Sequence, residues 1–221
     1  METVNSHNNF FYFTLALVFL LLFSAVADSF PSKESHRALQ GVILFTEIVA
    51  YLSLNLSRRW RVFITFMVVL ILIVNGIHEL THWTVAPVIS LTTALIFYCG
   101  MAYAAAKQVL FSGKREIEAN TIVGAVAVYL LLGIIWSTLY LITLEFWHGA
   151  FNGLEYKNWN DNFAITTYFS YVTMTTLGYG DISPAVPVSR VLVYLQAIFG
   201  TFYMAVVVAS LIGARTGKHT H

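Results

Sequence analysis

The chain has 221 residues, 58% of them hydrophobic and 10% charged, with a formal net charge of +1 and a mean hydropathy of +0.72. Soluble domains carry about 25% charged residues, so the composition excludes a soluble globular protein and indicates an integral membrane protein. The near-zero net charge counts against nucleic-acid binding, and the single cysteine, Cys99, excludes an intrachain disulfide and reads as a packing residue.

A span needs roughly 20 mostly apolar residues. Six segments qualify in chain order: Phe10–Ala27, Leu39–Leu56, Trp60–Ile77, Val85–Ala106, Ile122–Leu144 and Val188–Ile212. The first ends in "SAVAD" (Ser24 to Asp28), which has the form of an A-x-A cleavage site. No Lys or Arg precedes it, so it is read as a retained span. Glu47 is the one acid inside the first four spans. It is read as a buried hydrogen-bond partner or helix contact, with a proton or ligand sensor as the alternative.

The third span ends in "HELTH", His78 to His82. On a helix the two histidines share a face and can hold zinc, with Glu79 as base. No further ligand motif follows at a recognisable spacing, whereas a catalytic zinc takes three protein ligands and a water. Interfacial residues are therefore the first reading. A candidate regulatory metal or pH site of His78, His82 and His148 is the second, and an intramembrane zinc metalloprotease the third.

The fourth span has one cation, Lys107, at its end. A voltage sensor moves several charges, each contributing roughly 2.3 kcal/mol per 100 mV, so this span cannot serve as one. Arg58, Arg59, Arg61, Lys107, Lys114, Arg115, Arg215 and Lys218 fall on one side of the membrane, against Lys33, Arg37, Lys157 and Arg190 on the other. The richer side is cytoplasmic, which puts both termini inside.

Asn162–Met174 lies between the last two spans. It extends about 20 Å as a helix, short of a hydrocarbon core of about 30 Å, and reads as re-entrant. "TMTTLGYGD" (Thr173 to Asp181) follows. A cation pore must replace the ion's water with oxygens, and backbone carbonyls turned to one axis can do so. Glycine permits the positive φ that turns successive carbonyls the same way. A threonine hydroxyl adds an oxygen, and a short helix points its negative C-terminal end at the cation. Short helix, threonine and Gly178-Tyr179-Gly180 stand here in that order.

"TTLGYGD", with Pro184 three residues beyond the aspartate, resembles the signature of tetrameric potassium channels, whose filter is a standard example of this mechanism. "GAVAVYLLLGIIWSTLY" (Gly124–Tyr140) resembles the outer helix of the bacterial ion-channel-domain branch of that family. The resemblance covers about residues 120–213. It implies an all-α integral membrane protein of six transmembrane helices plus a re-entrant pore helix and filter loop, assembling as a homotetramer. Residues 1–111 are then a peripheral four-helix domain without gating arginines. Residues 112–221 are a pore domain, with outer helix 120–145, pore helix 162–174, filter 176–180 and inner helix 187–213.

Carried over residue by residue, the resemblance implies that the carbonyls of Thr176, Leu177, Gly178 and Tyr179, and the Thr176 hydroxyl, bind K+. Gly180 lets the chain turn out, and Asp181 sits behind the filter with Thr175 in support. Leu177 stands where valine is commoner. Tyr168 and Phe169 occupy the places of a tryptophan pair that cuffs the filter, and Val172 the place of a glutamate that pairs with the aspartate. Glu145 is either an acid bonding backbone behind the filter or a plain interfacial residue. Gly200, nineteen residues after Asp181, corresponds to the gating hinge, with close helix packing as the alternative and a constriction near Val208–Ile212.

The function implied is passive, K+-selective conduction without classical voltage gating, in a plasma membrane (a bacterial inner membrane). K+ is the permeant ion and no organic cofactor or catalytic residue is called for. Partners are the lipid bilayer, identical subunits and a candidate separate regulatory subunit, with no nucleic acid. The alternatives are a non-selective cation channel and, through His78-Glu79-Leu80-Thr81-His82, the metalloprotease.

Overall fold

The structure is a computed structural model. It describes residues 9–30, 32–54, 56, 58–81, 84–110 and 119–208, and of 78–81, 110, 119 and 206–208 the backbone alone. Among the described residues there are seven α-helices: α1 (Asn9–Ser29), α2 (Lys33–Ser53), α3 (Arg58–Thr81), α4 (Ala86–Leu110), α5 (Ala119–Phe146), α6 (Trp159–Met174) and α7 (Pro187–Phe202). A π-helical segment, Tyr203–Val208, continues α7. Two-residue strands β1 (Phe151–Asn152) and β2 (Ser183–Pro184) pair antiparallel, Phe151 opposite Pro184 and Asn152 opposite Ser183.

Among the described residues, five helices are long and apolar enough to cross a membrane: α1, α3, α4, α5 and α7. The sixth expected span, in α2, is not among them. Its first turns carry Lys33, Glu34, His36, Arg37 and Gln40, which lower the hydropathy of a helix that is otherwise 21 residues long. At 1.5 Å per residue α2 still extends about 31 Å. Ser32 caps it, accepting a hydrogen bond from the Ser35 amide while the Ser35 hydroxyl takes up the Ser32 amide.

Contacts at the helix ends give the directions. At one end the Phe10 amide donates to Asn120 Oδ1 at 3.3 Å, and the Tyr203 hydroxyl donates to the Ala125 carbonyl at 2.6 Å. The starts of α1 and α5 thus lie with the end of the α7 run. At the other end His36 meets Asp161 at 2.7 Å and Gln40 Nε2 donates to Asn160 at 3.3 Å, so α2 and α6 start together. Helices α1 and α5 therefore run one way, and α2, α6 and α7 run the other.

Helix α5 is the hub, packing on α1, α4, α6 and α7. One apolar cluster joins it to the first four helices through Phe13, Leu20, Phe97, Met101, Leu131 and Ile134. A second surrounds α6 and the loops near it, with Tyr140, Leu144, Phe151, Phe169, Met174 and Ile182. Between them α5 is the most buried of the apolar helices, while α3 and α7 leave most of their apolar surface uncovered. An apolar helix that is exposed in a membrane chain faces lipid or another subunit.

Three expected boundaries shift. The short helix starts three residues earlier, at Trp159, because Asn158 caps it by accepting from the Asn160 amide at 3.3 Å. The outer helix runs 119–146 against 120–145. The inner helix was expected to continue to 213, but its α geometry ends at Phe202 and gives way to the π segment. The expected constriction at Val208–Ile212 lies outside the described residues, apart from the backbone of Val208.

Candidate functional site

Helix α6 is 16 residues long, about 24 Å. Its first turn carries Asp161, favourable at the positive end of a helix. Polar bonds hold its flanks. Ser137 of α5 lies 2.9 Å from both Thr166 and Thr167 hydroxyls, and the Ser170 hydroxyl donates to the Gly133 carbonyl at 2.7 Å. The Tyr171 hydroxyl donates to the Leu130 carbonyl at 2.7 Å. Gly133 has to be glycine here, since a Cβ would stand 2.2 Å from the Tyr171 ring.

Gln196 of α7 is fully buried and ties three helices together. Its Nε2 donates to the Ser170 carbonyl at 2.9 Å and to the Ser170 hydroxyl at 2.7 Å, while its Oε1 accepts from the Tyr140 hydroxyl of α5. Gln196 was not among the residues singled out from the sequence. A glutamine in mid-span was the available signal, because polar side chains inside a membrane helix seek partners there.

The chain leaves α6 at Thr175, whose hydroxyl donates to the Tyr171 carbonyl at 2.6 Å. Amides of the following residues turn back to the helix end: Thr176 to the Thr173 carbonyl at 3.0 Å, Leu177 to Val172 at 3.0 Å and Gly178 to Val172 at 3.3 Å. Val172 thus contributes its carbonyl, while its side chain is buried. Among the described residues, the carbonyls of Thr176 to Tyr179 accept no protein hydrogen bond.

The backbone alternates in hand along this stretch. Thr176 has φ +62°, Gly178 +54° and Gly180 +84°, whereas Leu177 and Tyr179 keep negative φ. Extended strands point successive carbonyls to opposite sides. Alternation between left- and right-handed dihedrals cancels that reversal and turns them to one side. A threonine at positive φ is strained by about 1–3 kcal/mol, which marks Thr176 as held there by its surroundings. Every residue from Thr175 to Asp181 is exposed in the single chain, Leu177 by 58% and Tyr179 by 68%.

Asp181 is fixed from two sides. Its Oδ2 accepts from the Tyr168 hydroxyl at 2.7 Å. Its backbone carbonyl lies against Gly153 (φ +76°), where a Cβ would approach to 2.0 Å. The loop after α5 is pinned to the same place by the β1–β2 pair, by the Ala185 amide donating to the Ala150 carbonyl at 2.9 Å and by the Ser189 hydroxyl donating to that carbonyl at 2.7 Å. Phe169, beside Tyr168, is buried against Tyr140 and Phe151, with ring centroids 5.2 and 5.5 Å away. The tyrosine supplies the hydrogen bond and the phenylalanine the packing.

Glu145 is held by the following loop: its Oε2 accepts from the Tyr156 hydroxyl at 3.0 Å. Partial burial, and then this bond, push the Tyr156 phenol above its usual range. His148 stacks on Tyr156 at 3.8 Å between ring centroids. Of the candidate metal or pH site, His148 is described, whereas the His78 side chain and all of His82 lie outside the described residues. Gly200 packs on the end of α6, where an added Cβ would stand 2.5 Å from the Met174 carbonyl oxygen. The π segment begins three residues later.

Residues 124–215 match the family model described as "Ion channel". A two-pore potassium channel 4 of Arabidopsis thaliana is 30% identical over 97 residues, covering 42% of this chain and 33% of that protein. The chain thus spans about a third of the length of the curated relative it matches. No solved structure matches it. Residues 124–215 are thus similar to an ion channel domain, and they lie in a multi-pass membrane chain part of which is similar to a potassium channel.

Proposed function

We propose that four copies of the chain form a K+-selective pore, with Thr176 to Gly180 of each copy as one quarter of the filter. The observation that carries this reading is the alternation of positive and negative φ from Thr176 to Gly180, with the amides bonded back to α6 and the carbonyls unbonded. One strand cannot surround an ion, so the exposed carbonyl edge needs symmetry partners. The end of α6 aims its negative pole at the same place. The exposed apolar faces of α7 at Val191, Tyr194, Ile198 and Phe202 supply surface for packing against neighbouring copies and lipid.

In this reading Thr176, Leu177, Gly178 and Tyr179 offer carbonyls to the ion, and Thr176 its hydroxyl as well. Gly180 turns the chain out, and Asp181, Tyr168, Phe169, Val172 and Thr175 hold the filter in shape. K+ is the permeant ion. Helix α2 makes the sixth crossing, which returns the chain between α1 and α3. Both termini face the cytoplasm of the cell whose plasma membrane holds the protein. Residues 1–111 form a peripheral domain, and with Lys107 the single basic residue of the last turn of α4 that domain does not act as a classical voltage sensor.

Tyr179→Ala tests the assignment. The reading expects the variant to lose its preference for K+ over Na+ in planar bilayers. Retention of full selectivity by that variant would sink it.

A further inference from the structure

Among the described residues, Glu47 of α2 carries an unmet hydrogen-bonding demand deep in the fold. It is 2% exposed, and its Oε2 is buried with no hydrogen-bond partner. Leaving such a group unsatisfied is costly. The carboxylate lines a cavity of about 90 Å³ between α2, α3, α4, α5 and α6. That is room for a few waters or a small molecule.

Two hydroxyls round it have their protons spent and offer lone pairs. The Ser90 hydroxyl spends its proton on Asn75 Oδ1 at 2.7 Å, and the Thr138 hydroxyl spends its own on the Ile134 carbonyl at 2.8 Å. Gln40 directs Nε2 to Asn160 at 3.3 Å. The Asn75 amide and the Tyr98 hydroxyl are donors in the lining, yet neither reaches Glu47 Oε2. The remaining wall is apolar, with Leu91, Ala94 and Phe163 among its residues.

We propose that this cavity is a binding site for a small primary ammonium with a short alkyl tail. Three N–H donors meet the carboxylate and the spent hydroxyls, the positive charge pairs with Glu47, and the tail lies on the apolar wall. A ligand without donors leaves Oε2 as it is, and a bulky one exceeds the space. The way in is a wider polar vestibule of about 610 Å³, which shares Gln40, Leu72, Asn75 and Trp159 with the cavity. Lys33, His36 and Arg37 line that vestibule, with His36 paired to Asp161. This basic rim favours amines that pass it as the free base. Such a base takes its proton from the Glu47 carboxylic acid, N–H forming as O–H breaks, and the same ion pair results when an ammonium joins the carboxylate.

The site does not rest on the channel reading, so its test is binding and not conduction. The full-length protein in detergent micelles is titrated with n-propylammonium chloride by calorimetry, with propan-1-ol as the uncharged probe of equal length. Saturable binding is expected. It should be at least tenfold weaker in Glu47→Gln and in Ala94→Phe, which fills the cavity and keeps the carboxylate. Propan-1-ol should bind at least tenfold more weakly than the ammonium. Binding should persist in Tyr179→Ala, which separates this site from the proposed pore. Equal affinity in wild type and Glu47→Gln, equal affinity for the alcohol, loss of binding in Tyr179→Ala, or no saturable heat would each overturn the proposal.

Discussion

The Tyr168 hydroxyl donates to Asp181 Oδ2 at 2.7 Å, joining the middle of α6 to the residue just beyond Gly180. The contact spans thirteen residues of chain and brackets the whole stretch of alternating φ. It therefore resists any rotation that would move the Gly180 end away from the helix. Tyr168→Phe keeps the ring and removes the bond. The expected outcome is a conducting state that closes several-fold faster, with selectivity unchanged while open, as read from single-channel open times. Unaltered open times would remove the bond from any role in holding the filter.

Gly200 presses on a backbone atom. A Cβ would stand 2.5 Å from the Met174 carbonyl oxygen and 2.6 Å from Met174 Cγ. Overpacking of this sort costs about 1–3 kcal/mol. Gly200→Ala should lower the unfolding temperature in micelles, and adding Met174→Ala should not restore it, since the closest clash is with main chain. Rescue by the second change would show that the side chain set the constraint. If Gly200 also acts as a hinge, Gly200→Pro shifts open probability; unchanged gating in that variant leaves the packing role.

Gln196 bonds Ser170 on α6 and Tyr140 on α5 from its place on α7. Removing one partner leaves the others buried and unmet, at a cost of about 1–3 kcal/mol. Gln196→Leu should therefore destabilise more than Tyr140→Phe. The double variant should cost less than the sum of the two, because the residues share a bond. Thermal unfolding of the four proteins measures the coupling, and strict additivity would show that the network is not energetically joined.

Much of this arrangement was legible from the sequence because the signals were local. The short apolar stretch, the threonine and the two glycines placed the end of a helix and positive φ at the glycines, and the structure has both; the positive φ of Thr176 was not expected from its residue type. Hydropathy found α1, α3, α4, α5 and α7. It also marked Leu39–Leu56 as a span, but the helix there, α2, begins at Lys33, and the polar residues of its first turns, which reach α6 and a vestibule, leave it less apolar than those five. The Gln196–Ser170–Tyr140 network was not legible, since its members are far apart in sequence and meet only once three helices pack. Nor was the need for glycine at Gly133 and Gly153, which depends on Tyr171 and on the Asp181 backbone coming close. Sequence spacing allowed two roles for Glu145, and the Tyr156 hydroxyl settles its partner.

The central claim is that Thr176 to Gly180 bind K+ in place of its water. The most direct measurement is the reversal potential of the purified protein in planar bilayers, with K+ on one side and Na+ on the other. The account predicts a reversal close to the K+ equilibrium potential. A reversal midway between the two ions' equilibrium potentials would contradict it and establish a non-selective cation pore in spite of the Gly178-Tyr179-Gly180 sequence.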